Sequence, residues 1–143
     1  NDPNGKTTLE EVVRIFPQSK YVETALRDLG DNEMFAERSE KSIAYYSRLI
    51  LERPQSPLVP YAIMRRGTAF QNIGRTQSAI SDYKYLLRNY ISDSNYASQA
   101  MAGLNELMDP SSPEYIEIKA LYAKANPNDT SLREKEFETN SRI

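Results

Sequence analysis

The chain has 143 residues, 39% apolar and 27% charged, with a net charge of −2 and neither histidine nor cysteine. Disulfides, imidazole or thiolate metal sites and Ser-His or Cys-His catalysis are therefore excluded. The charge balance offers no broad basic surface to nucleic acid or anionic membranes, and the longest apolar run, "LVPYAIM", holds a proline and falls far short of the roughly 18 residues of a membrane helix.

The chain starts with Asn rather than Met and reads as a piece of a longer protein. Residues 4–8, "NGKTT", carry the Gly-Lys-Thr of a phosphate-binding loop. Neither the upstream glycine nor the strand that this motif needs stands in the given sequence, and the residues that follow fit a second-half helix, so the segment reads as a helix entry. Leu9, Val12 and Val13 then line one helical face. Glu10-Glu11 has no apolar pocket around it to shift a pKa and reads as a solvated face, as does Glu136-Glu138.

Residues 17–19 read "PQS", and so do residues 54–56. An ungapped shift of 37 aligns the flanks as well. Gly30 falls on Gly67, Ile43 on Ile80, Tyr46 on Tyr83 and Leu49 on Leu86. Such self-similarity marks a chain of repeated modules. Modules start at Pro17, Pro54, Ile91 and Pro127. Residues 1–16 read as the second half of a preceding repeat, 17–53 and 54–90 as repeats, 91–126 as a degenerate repeat and 127–143 as the start of a further helix.

Each module reads as two helices. In 54–90, Ile63, Gly67, Phe70 and Ile73 stripe the first, and Ala79, Ile80, Tyr83, Leu86, Leu87 and Tyr90 the second. Ser56 is expected as an N-cap with Pro57 in the first helical position. Gly74 suits a C-terminal turn, and Pro54 ends the preceding element at Arg53. Ser112-Pro113 repeats the cap-then-proline signal, and "SLRE" at 131–134 is a capping box. A mid-helix glycine costs about 1 kcal/mol relative to alanine. Two at one register, Gly30 and Gly67, therefore predict a close helix crossing against Tyr46 and Tyr83.

In "PYAIMRRGTAFQNIGRTQSAISDYKYLLRNYI", the small residue Gly67, the aromatic Phe70, the turn glycine Gly74, the small Ala79 and the aromatic Tyr83 resemble a tetratricopeptide repeat. The resemblance implies an all-α, right-handed superhelix of stacked antiparallel hairpins that is not an enzyme and needs no cofactor. The longer period and the opening "FPQSKYVETAL" are similar to bacterial envelope repeat proteins, the periplasmic coordinator of the Tol-Pal system and the BamD-type lipoproteins. That likeness implies a periplasmic or outer-membrane-associated protein, though the absence of cysteine fits any compartment.

First helices should line the concave side, where repeat proteins hold extended or helical peptides. By register, Arg27, Asp31, Met64, Arg65, Thr68, Gln71, Gln99 and Glu106 should face a protein or peptide partner there. This mixture is not the lysine/asparagine set of a carboxylate clamp. Arg66 is expected nearer the helix seam, in an ion pair or with its head in water. Exposed faces of the terminal half-modules could also pair two copies of the chain.

Overall fold

The computed structural model describes residues 3–131. Among these residues there are seven helices and no strand: α1 (Pro3–Ile15), α2 (Tyr21–Phe35), α3 (Ser39–Glu52), α4 (Val59–Asn72), α5 (Thr76–Tyr90), α6 (Ser94–Leu107) and α7 (Pro113–Ala125). Each helix packs on the next through a short turn, giving an all-α solenoid of antiparallel hairpins. The further helix expected from the Ser131–Glu134 capping box lies outside the described residues, as does Glu136-Glu138.

The repeated tripeptide makes the same turn twice. The Ser19 hydroxyl accepts from the Tyr21 N–H at 3.2 Å, and its carbonyl accepts from Val22 N–H at 3.2 Å. The Ser56 hydroxyl accepts from Leu58 N–H at 3.1 Å, and its carbonyl from Val59 N–H at 3.1 Å. This corrects one expectation. Ser56 closes a turn ahead of the helix, α4 begins at Val59, and Pro60 rather than Pro57 sits in its first turn. The Ser112 cap does form: its hydroxyl accepts from Tyr115 N–H at 3.2 Å, with Pro113 opening α7.

The turns inside the first two hairpins also match. After α4, Gly74 adopts a φ of 76° while Arg75 N–H reaches the Phe70 carbonyl at 2.9 Å. After α2, Glu37 adopts a φ of 60° while Arg38 N–H reaches the Glu33 carbonyl at 2.8 Å. Both are left-handed helix ends that satisfy a terminal carbonyl. Modules are closed by a side chain near their end. Arg53 donates to the Pro17 carbonyl at 2.5 Å, and Asn126 to the Ile91 carbonyl at 2.9 Å.

The core runs along the stack through Leu26, Leu29, Tyr46, Leu49, Leu86, Met101, Leu104 and Tyr122, all at most 2% exposed. Fully burying one such side chain contributes about 2 kcal/mol. The glycine argument holds atomically. A Cβ on Gly30 would lie 2.7 Å from Tyr46 Cδ1, and one on Gly67 would lie 2.8 Å from Tyr83 Cε1. A third glycine joins them. A Cβ on Gly103 would lie 2.7 Å from Tyr83 Cδ2, so the Tyr83 ring fills the space between α4 and α6.

Beyond the hairpins, α4 also packs on α6, whereas no two of the second helices α3, α5 and α7 meet to that degree. The side built from the first helices α2, α4 and α6 is the inner layer expected of such a stack. Packing of α7 on α6 is lighter than in the two preceding hairpins. Only Tyr115 and Tyr122 of α7 are buried.

Candidate functional site

The inner layer carries a row of polar side chains held by hydrogen bonds between modules. Asp31, on α2, is its first fixed point. Its carboxylate accepts from the Tyr46 hydroxyl of α3 at 2.6 Å and from the Tyr61 hydroxyl of α4 at 2.9 Å. Arg65 Nε of α4 lies 3.8 Å from the same carboxylate. Burial, then the bond to Asp31, pushes both tyrosine hydroxyls above their ordinary value, so they stay protonated donors. Burial alone would lower the Arg65 pKa, but Tyr46, Tyr61 and Asp31 more than offset it, so its charge is secure. One turn earlier on α2, Arg27 Nε donates to Asp28 at 3.0 Å.

A second cluster lies further along α4. The Tyr83 hydroxyl, its pKa raised by burial, donates to Gln71 Oε1 at 2.8 Å and sits 3.5 Å from the Thr68 hydroxyl. Gln71 in turn donates to Glu106 of α6 at 2.7 Å. The Tyr83 ring thus spaces the glycines while its hydroxyl orients the amide that bridges two modules.

Of the residues expected on this face, Asp31 and Arg65 meet in the first cluster, and Thr68, Gln71 and Glu106 in the second. Arg27 lies beside the first cluster on Asp28. Gln99 is exposed and, among the described residues, bonds the Asn95 carbonyl of its own helix, at 3.1 Å. Met64 is 8% exposed and belongs to the core. With Pro60, Ile63 and Gly67 it completes the buried stripe of α4, so it gives a partner little surface.

The other polar motifs are absorbed by packing. The Gly-Lys-Thr segment lies within α1, and Lys6 Nζ sits 2.6 Å from Glu33 Oε1. Glu33 is fully buried and also receives Arg38. Burial pushes its pKa up, but the hydrogen bonds from Arg38 and Lys6 win and hold it below the ordinary range. Arg66 makes a two-pronged pair with buried Asp82, at 2.9 and 2.8 Å, and reaches Ser47 at 3.2 Å, tying α4 to α5 and α3. Glu10 is exposed and accepts from the Tyr45 hydroxyl at 3.1 Å. Among the described residues, no group of three or more acidic side chains could hold a metal ion, and no helix is long and apolar enough to cross a membrane.

Residues 61–90, nearly the whole α4–α5 hairpin, match the tetratricopeptide repeat family. The chain carries a tetratricopeptide repeat. No curated protein and no solved structure matches it. The matched tetratricopeptide hairpin holds Phe70 and Ala79 together with Gly67 and Tyr83, which shape the helix crossing, and Gly74, which makes its turn. Tetratricopeptide repeats generally mediate protein–protein interaction and are generally non-catalytic.

Proposed function

We propose that this chain is a non-catalytic scaffold that holds an extended or helical segment of a partner protein against its inner face. The observation that carries the reading is the prior fixing of that face. Asp31 is clamped by two tyrosines from different helices, and Gln71 is aimed by Tyr83 toward Glu106. Side chains already ordered lose less entropy when a partner docks, about 0.5–1.5 kcal/mol saved for each. The alternation of donors and acceptors suits a polar peptide better than an apolar helix face.

Site-specific photo-crosslinking tests this. A benzoylphenylalanine at exposed Gln99 should give a discrete adduct in an extract of the source cells, and one at Leu51 on a second helix should not. Replacing Arg27, Gln71 and Glu106 together should weaken capture of the crosslinked partner about tenfold or more. Equal adducts from both positions would remove the inner face from the argument.

The same reading extends to a bacterial envelope assembly, supported by the likeness of the "PQS" module opening to envelope repeat proteins. Cell fractionation should then find the protein with the periplasm or outer membrane, and recovery in the cytosol would end that extension.

A further inference from the structure

A groove runs between the second helices α5 and α7. Its floor and rims are apolar: Leu87 from α5, Ile91 just past its end, and Ile118 and Leu121 from α7. Leu121 is 53% exposed, a large share for a leucine in mid-helix. The α5 wall is basic, with Lys84 and Arg88, and the α7 wall is acidic, with Glu114 and Glu117. Lys84 and Glu114 pair with each other across the groove. Arg88 and Glu117 have no ion-pair partner among the described residues.

An apolar strip with one basic and one acidic wall is its own complement. A two-fold axis running along the strip turns two copies face to face and brings the acidic wall of each onto the basic wall of the other, with the apolar strips, Leu121 included, between them. This is the self-matching that a two-fold interface requires. The spare charges, Arg88 on α5 and Glu117 on α7, are of opposite sign, as that pairing needs. We infer that the α5–α7 groove is a homodimer surface, with a second copy of this chain as its occupant. The contact uses second helices and leaves the inner face of both copies open. The dimer then presents two binding faces, and a partner with two docking segments gains avidity from it.

Sedimentation velocity on the full 143-residue chain, from about 5 to 200 μM, decides this. The unmodified chain should shift from monomer to dimer across that range. Leu121→Glu, at an exposed position, should stay monomeric with an unchanged circular dichroism spectrum. Arg88→Glu should weaken association about tenfold, and Arg88→Glu with Glu117→Arg should restore it, because both signs are then exchanged. A chain that stays monomeric throughout overturns the inference. A dimer indifferent to Leu121→Glu and to the charge exchange overturns it equally.

Discussion

Glu37 is a glutamate where the architecture asks for glycine. It occupies the same turn position as Gly74, with a φ of 60°, and left-handed backbone costs an L-residue about 1–2 kcal/mol. Its side chain is exposed and makes no ion pair among the described residues. Glu37→Gly should therefore stabilise the chain by about 0.5–1 kcal/mol, the strain removed less the extra freedom glycine gives the unfolded chain. Urea unfolding should show a higher midpoint at unchanged slope. Glu37→Ala, which keeps a Cβ, should show no such gain. Residue identity made part of the site legible and hid the rest. Gly30 and Gly67 announced a close crossing because both sat at one offset from a tyrosine in the same hairpin. Gly103 did not, because it follows Gly67 by one residue less than the repeat spacing of 37 and Lys119 holds the place of its own tyrosine. The ring that fills its gap comes from the preceding hairpin, through Tyr83. Glu33 was invisible for a similar reason. One glutamate among many reads as solvated until α1 and the turn after α2 deliver two cations to it.

At the scale of elements, that glutamate fastens α1 to the stack. Lys6 comes from α1, Glu33 from α2 and Arg38 from the turn before α3. A buried carboxylate without its cations is costly, so the pairing holds only while Glu33 is ionised. Its folded pKa lies below the ordinary 4.5. The stabilisation is therefore complete above the unfolded value and lost as pH falls through the depressed folded one. Lys6 works from the other side. Its pKa is raised above 10.5 by the bond to Glu33, so its contribution persists through neutral pH and fails only in strong alkali. Between pH 7 and 5 the attachment of α1 should not change. Below about pH 4 the amides of α1 should exchange faster while those of α4 and α5 hold. Glu33→Gln should flatten that acid dependence, and an identical pH profile in the variant would place the acid sensitivity elsewhere. The stripes that define α2 to α5 were plain in the sequence because two full copies repeat them. The start of α4 was misplaced, since a serine that closes a turn and a serine that caps a helix present the same Ser-Pro pair.

The whole molecule is a line of neighbours, so stability should vary along it instead of being shared evenly. In such a stack each hairpin is held by its own helix contacts and by the hairpins on either side. The middle of this one is the best supported. α4 buries seven residues and α5 six, and Arg66 links them to α3. α7 buries two residues and packs lightly on α6. Its polar ties to the stack are Tyr115 to Asn105 at 2.6 Å, Glu114 to Lys84, and Asn126, just past its end, to the Ile91 carbonyl at 2.9 Å, while Tyr122 fastens the closing turn through Asp129. Burial pushes the Tyr122 hydroxyl up, and its bond to Asp129 adds to that, so this tie persists across the physiological range. A few polar ties do not equal a buried stripe. Native-state hydrogen exchange at low micromolar concentration should therefore find α7 opening first, its amides about a hundredfold less protected than those of α5. Asn126→Ala should widen that gap by releasing the tie to Ile91 and should leave α2 to α5 untouched. Equal protection from α2 through α7 would mean that the array unfolds as one unit. The looseness of α7 would then be a feature of its packing without energetic consequence, and a partner bound on the inner face could not stabilise one end of the stack without stabilising the other.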